Sequence, residues 1–293
     1  ALSPLPLNTG VTGPDTGYIQ WISLSDTNPR PASVVFSINN RRAFVANRGT
    51  GSVSMINTDL SQEFTSTPIA ARWLQQVAVH AIAADPDGRR IYVAGDGVVG
   101  VLHAHTMELL NTLELPAYGS AQTNPQGIAV SPDGRWLLLS EATPGGRISI
   151  VDTDDDYGIA DTLMMPAGST PRGVAVSPDN QHAYIALSGS VNEVRVYDLL
   201  AGIELSPIDI GESPIAIAVT PDARRIFVTN GPADTVHSHD LSSGLTQIFD
   251  LGPAVYPNAL AITPDGARVL VANDSNSNYV IDMFSLIGNN TVS

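Results

Sequence analysis

The chain has no cysteine and no lysine. Without cysteine there is no disulfide, no thiolate nucleophile and no cysteine-held metal or haem. The redox compartment stays open, because a core of this size needs no disulfide staples. Without lysine there is no Schiff-base chemistry, and the pattern fits a GC-rich or salt-adapted genome. Positive charge is scarce altogether: 14 arginines stand against 29 acidic residues, a net charge of −15. A surface this acidic repels nucleic-acid phosphates and anionic lipid, so neither is an expected partner. No apolar run approaches the roughly 20 residues of a membrane-spanning helix. Helical 3.6-residue periodicity is not evident anywhere. The Gly-x-Ser-x-Gly elbow, the phosphate loop, the dinucleotide fingerprint and the zincin helix are all missing.

What the sequence does have is repetition. Six times a short apolar strand runs into a Ser/Thr-Pro-Asp turn and then into a second apolar strand. The clearest copies are Gly127-Ile-Ala-Val-Ser-Pro-Asp133, Gly173-Val-Ala-Val-Ser-Pro-Asp179, Ala216-Ile-Ala-Val-Thr-Pro-Asp222 and Ala259-Leu-Ala-Ile-Thr-Pro-Asp265. Ala81-Ile-Ala-Ala-Asp-Pro-Asp87 is a fifth copy and Ser33-Val-Val-Phe-Ser-Ile-Asn39 a worn sixth. The anchors before the proline fall at Ser37, Asp85, Ser131, Ser177, Thr220 and Thr263, with steps of 48, 46, 46, 43 and 43 residues. A period in the forties with several short strands per unit is the signature of a radial β-array.

Within the unit beginning at Pro171, Gly173–Val176 reads as a strand crowded on both faces. Ser177-Pro-Asp-Asn180 reads as a tight turn, Ala183–Leu187 as a second strand, Val194–Asp198 as a third and Leu205–Ile210 as a fourth. The same reading along the chain predicts an all-β fold: a six-bladed β-propeller of four-stranded antiparallel blades. The last third strand is expected at Tyr279–Ile281. Tyr18-Ile-Gln-Trp-Ile-Ser-Leu24 is a good strand without a blade of its own. It is expected to pair as the outermost strand of the last blade and so close the ring. The expected domains are an N-terminal extension over 1–17, one propeller over 18–285 and a C-terminal tail over 286–293. Ala1 in place of Met, and loops rich in Asn, Asp, Thr and Ser, lead us to expect an exported protein, periplasmic or at the cell surface.

The strand–SPDG–strand motif is followed by Arg-Ile-Phe-Val-Thr-Asn230, Arg-Ala-Phe-Val-Ala-Asn47 and Arg-Val-Leu-Val-Ala-Asn273. Third strands such as Ile148-Ser-Ile-Val-Asp152 complete a pattern that resembles the YVTN family of β-propeller repeats. The resemblance covers roughly residues 18–285. It implies a bacterial or archaeal protein, commonly exported or surface-displayed, in company with surface-layer, lactonase-type and amine-dehydrogenase or cytochrome-linked propellers. Many members have seven blades, a count that the steps observed here leave no room for.

First strands of a propeller line its central channel. Aligning the repeats puts Ala32, His80, Gln126, Arg172, Ile215 and Asn258 at the channel mouth, each followed by a small residue. Arg172 suits a carboxylate or phosphate, or a loop aspartate. His80 suits a base, a metal ligand or a solvated channel group. Gln126 and Asn258 suit water or ligand. The loops between second and third strands bring Asn47-Arg48-Gly49, Asp96, Glu141, Ser188, Asn230 and Asp274 to the same face. Trp73, Tyr118 and Tyr256 come from the longer loops leading into first strands. Exposed aromatics among polar groups suit a peptide or sugar partner, and gap-filling between blades is the alternative. On the opposite face Asp152, Asp154 and Asp156 have a spacing that suits Ca²⁺, the one cofactor to consider. Leu163 stands where an EF-hand-type loop has its closing glutamate. His103/His105 and His237/His239 are pairs that could chelate Zn²⁺ or Cu²⁺.

The function expected from these residues is a non-catalytic binding or scaffolding propeller with a protein or peptide partner at the channel mouth. The family's company suggests an envelope or redox assembly as that partner's setting. One alternative is a metal-assisted lactonase-type hydrolase or lyase around His80, Glu141 and Asp274. A second is a structural unit of a surface coat.

Overall fold

The structure is a computed structural model that describes residues 31–38, 41–57, 62–68, 78–115, 125–142, 146–253, 255–273 and 281–285. The first four strands are β1 (Pro31–Phe36), β2 (Arg42–Asn47), β3 (Ser52–Asn57) and β4 (Gln62–Pro68), paired in that order into one antiparallel sheet. The second sheet is β5 (Val79–Ala84), β6 (Arg90–Gly95), β7 (Val98–His103) and β8 (Leu109–Glu114). The third is β9 (Pro125–Val130), β10 (Trp136–Glu141), β11 (Arg147–Asp152) and β12 (Gly158–Met164). The fourth is β13 (Ser169–Val176), β14 (His182–Gly189), β15 (Glu193–Asp198) and β16 (Ile203–Glu204). The fifth is β17 (Pro214–Val219), β18 (Arg225–Asn230), β19 (Thr235–Asp240) and β20 (Thr246–Asp250). The last repeat forms a three-stranded sheet of β21 (Pro257–Ile262), β22 (Arg268–Asn273) and β23 (Ile281–Ser285).

The chain is therefore an all-β propeller with five four-stranded blades, not the six that the repeat count predicts. The sixth repeat has three strands among the described residues, because nothing described there pairs with the outer edge of β23. The strand expected to do so, Tyr18–Leu24, lies outside the described residues. The third strand of that sheet is described over Ile281–Ser285, and Tyr279 and Val280 of the expected strand Tyr279–Ile281 lie outside the described residues. In the fourth blade β16 stops at Glu204, short of the expected strand over Leu205–Ile210. Pro207 has no N–H to give to a ladder. Pairing resumes beyond it as a single bridge, in which Val194 and Ile208 exchange N–H···O bonds of 2.9 and 2.8 Å.

The Ser/Thr-Pro-Asp turns are built alike. The Ser131 hydroxyl donates to Asp133 and accepts the Trp136 N–H at 2.8 Å. The Asp133 carboxylate in turn accepts the Arg135 N–H at 3.1 Å. Ser177, Thr220 and Thr263 repeat the arrangement with Asp179, Asp222 and Asp265. The hydroxyl bond, followed by backbone N–H donors, holds those three carboxyls below the usual range. In the second repeat Asp85 replaces the hydroxyl. Its buried carboxylate pairs with Arg90 at 3.0 Å and accepts the Tyr92 hydroxyl at 3.1 Å. Burial first, and then this carboxylate, push the Tyr92 phenol up.

The core lies between sheets. Second strands alternate faces, and both faces are covered, so they read as continuous apolar runs. In β6, Ile91 and Val93 pack with Phe44 and Val53 of the first blade. Tyr92 and Ala94 point the other way, onto Leu137, Leu139 and Val151 of the third. Leu138 and Ile148 meet Ile185 and Leu187, Val194 and Val196 meet Ile226 and Val228, and Phe227 meets Val269 and Val271. Burying one such side chain contributes about 1.5–3 kcal/mol. The β1 face turned away from the second blade leaves Val34 and Phe36 exposed.

Candidate functional site

Every first strand carries a register shift at the same place. The ladder steps from Pro31↔Asn47 to Ser33↔Ala46, from Val79↔Gly95 to Ala81↔Ala94, and from Pro257↔Asn273 to Ala259↔Ala272. Shifts follow Pro125, Pro171 and Pro214 in the other three repeats. The residue that opens each shift is Ala32, His80, Gln126, Arg172, Ile215 or Asn258, with Gly173 and Ala216 also inside the fourth and fifth. A bulge leaves its extra residue unpaired and re-aims the side chain. All six line a single cavity of about 940 Å³. Such a volume suits a small molecule or a few residues of a peptide. Five of the six follow or stand next to a proline in the sequence pattern Pro-x-small (Pro31, Pro125, Pro171, Pro214, Pro257). That spacing is the signal by which the bulges can be read from sequence, since proline cannot supply a ladder N–H.

Small residues at the next position have a steric cause. A Cβ built on Gly127 would lie 2.6 Å from the Arg172 carbonyl oxygen, and one on Gly173 would lie 2.9 Å from the Ala216 Cα. First strands approach backbone to backbone around the axis, which confines the position to Gly, Ala or Ser and leaves no room for a Cβ at Gly127 or Gly173.

The polar groups at the mouth differ in their ties. The His80 side chain is 6% exposed, and its Nε2 lies 2.6 Å from Asp96 Oδ1. An ionised carboxylate only accepts, so this contact puts the proton on Nε2 and leaves Nδ1 as the other polar edge of the ring. Asp96 sits between β6 and β7, so the loop between second and third strands orients the channel histidine. Arg172 and Asn258 are exposed, and Arg48, from the loop after β2, reaches the same cavity. Tyr256 is 41% exposed beside the mouth. Asp234 Oδ1 accepts its N–H at 2.7 Å, fixing the loop in front of β21. A Cβ on Gly231 would come within 3.0 Å of the Tyr256 ring and 2.4 Å of Ile215, so both side chains fold over that glycine.

Glu141 is not part of this mouth. It is fully buried between the second and third blades, with Oε2 2.7 Å from Arg147 and Oε1 accepting the Ser149 hydroxyl. The position is a repeated one at the end of the second strand. Asn47 there donates to Ser52 and Ser54 at 3.1 and 2.9 Å, and Asn230 donates to the Ile210 carbonyl at 3.3 Å. Asp274, Trp73 and Tyr118 lie outside the described residues.

The other candidates are placed apart from the channel. Asp152 pairs with Arg135 at 3.2 Å and accepts the Asp154 N–H at 3.0 Å. Among the described residues, no three His, Asp or Glu side chains gather as a metal site, the Asp152/Asp154/Asp156 turn included. His103 Nδ1 accepts the N–H groups of His105 and Thr106 at 3.1 and 3.2 Å, closing its own turn. His239 Nδ1 lies 2.9 Å from the Thr246 hydroxyl. His237 is buried against Gly211 of the preceding blade, where desolvation holds its pKa below the ordinary value despite nearby Asp209. The sequence pairs His237 with His239, but the structure turns His237 into an interblade seam.

No protein-family profile matches this chain, so the YVTN resemblance is not confirmed, and no curated protein matches it. Among solved structures it is similar to a Kuenenia stuttgartiensis hydrazine synthase. The TM-score is 0.72 at 17% identity, covering 88% of this chain and 84% of the other. A likeness at that identity shows the β-propeller fold and nothing of the chemistry. Among the described residues, no helix is long and apolar enough to cross a membrane.

Proposed function

We propose that this protein is a non-catalytic binding propeller that engages a protein or peptide partner with its channel-mouth face. The observation that carries the reading is the bulge ring. A device that re-aims one side chain per repeat into a shared cavity, with a different residue type each time, serves recognition rather than packing. The hydrolase reading has less support, since the carboxylate expected to assist His80 is held by Arg147 and Ser149. The proposal includes membership of the YVTN family, export to the periplasm or cell surface, and closure of the ring by Tyr18–Leu24 beside β23. A partner in an envelope or redox assembly agrees with the occurrence of a similar fold in a hydrazine synthase.

The test is crosslinked capture from an extract of the source cells, using wild type, the double variant Arg48→Glu/Arg172→Glu, and Arg224→Glu on the opposite face. We expect a partner recovered with wild type and Arg224→Glu, and reduced at least tenfold with the double variant. Equal recovery on all three would refute the proposal.

A further inference from the structure

Arginine is the sole strong cation of this chain, and most described copies are committed. Arg90 pairs with Asp85, Arg135 with Asp152, Arg147 with Glu141, Arg195 with Glu193 and Glu204, and Arg225 with Asp240. Arg42 donates to the carbonyls of Ala104 and His105. Three described guanidinium groups, those of Arg48, Arg172 and Arg224, make no ion pair or side-chain hydrogen bond to a described residue, and of these Arg48 and Arg172 line the channel mouth. In a molecule of net charge −15, acidic partners are abundant everywhere else. No described aspartate or glutamate lines that cavity. His80, held by Asp96, with Ser33, Gln126 and Asn258, makes up the rest of its polar wall.

The topology separates the two arginines. Arg48 belongs to the first sheet and Arg172 to the fourth, with the second and third sheets between them along the chain. A single-point anion would engage one of them. An anion with charge at two places engages both. Guanidinium groups recognise planar carboxylates through paired N–H donors, a match of geometry as well as charge.

We propose that the channel mouth is a recognition site for a ligand that carries two carboxylates, held between Arg48 and Arg172. The ligand is a free dicarboxylic acid or an acidic segment of a partner, and the inference rests on the mouth being the working face. Arg172 sits in a bulge, where its backbone is fixed by the ladder on either side, and Arg48 sits one residue beyond β2. The turn that carries Arg48 is closed by the Gly51 N–H on the Asn47 carbonyl at 2.9 Å, and a backbone already held limits the ordering cost of binding.

Isothermal titration tests this with two probes, succinate and a tetraglutamate peptide, at low and at high salt. At least one probe should bind with one-to-one stoichiometry and weaken at high salt. Charge-assisted hydrogen bonds are the strong ones, so Arg48→Gln or Arg172→Gln should each weaken binding about tenfold or more. The double variant should not bind, and Arg224→Gln should bind as wild type. All three positions are exposed, and equal thermal melts will show that the variants are folded. Binding of succinate assigns the site to a small acid, and binding of the peptide alone assigns it to an acidic segment. If neither probe binds, or the double variant binds as wild type, the inference is wrong. If partner capture depends on the two arginines while neither probe binds, the mouth remains the working face and the dicarboxylate inference alone fails.

Discussion

The repeated turn is where single residues say most about how this chain folds. Its fourth position takes a left-handed conformation in each described copy: Gly88, Gly134 and Gly266 at φ 73°, 79° and 68°, Asn180 at 61° and Ala223 at 57°. Glycine and asparagine tolerate that region, while alanine meets a steric cost of roughly 1–2 kcal/mol. The Ala223 N–H nevertheless bonds the Thr220 carbonyl at 2.8 Å, as its counterparts do, so the ladder on both sides imposes the conformation. Ala223→Gly should therefore stabilise the protein by about 1 kcal/mol, the relief being larger than the added chain entropy. Urea denaturation checks this: the midpoint should rise without a change of slope. These turns are legible in sequence because serine, proline, aspartate and glycine each act locally. The seat of Glu141 is not legible in the same way. Its partners Arg147 and Ser149 lie across a hairpin, and only the register of β10 against β11 reveals that the carboxylate faces a buried seam. Asp96 was visible as a loop residue, but its bond to His80 joins positions sixteen apart.

At the level of strands, first and second strands stand out in the sequence, and fourth strands do not. Second strands are buried on both faces, which writes a continuous apolar run into the sequence. Outer strands are half exposed, and in the fourth blade Pro207 reduces the strand to two residues and a bridge. The short side chains beside the channel show the reverse case, a sequence feature whose cause the structure supplies. Gly173 packs its Cα against the backbone of Ala216 and Ile215, with three atoms at 2.9 Å from a hypothetical Cβ. Backbone on that side cannot yield as a flexible side chain would. Gly173→Ala should cost about 1–3 kcal/mol through overpacking, seen as a lower thermal midpoint. It should also weaken any ligand of the mouth, because Arg172 is the adjacent residue. An unchanged midpoint would contradict the close backbone apposition of the first strands.

As a whole, the molecule combines a strongly acidic composition with a channel mouth that holds two uncommitted arginines. Electrostatics at this scale disfavours anions over most of the surface, and the channel mouth is the place proposed for them. The most direct measurement is NMR of the arginine side-chain Nε–Hε groups during titration with succinate, or with tetraglutamate if that is the probe that binds. The signals of Arg48 and Arg172 should shift together and saturate at one equivalent, while those of Arg135, Arg195 and Arg225, already paired, stay in place. Shifts spread evenly over all arginines, or confined to groups away from the channel, would contradict the assignment of the mouth as the working face.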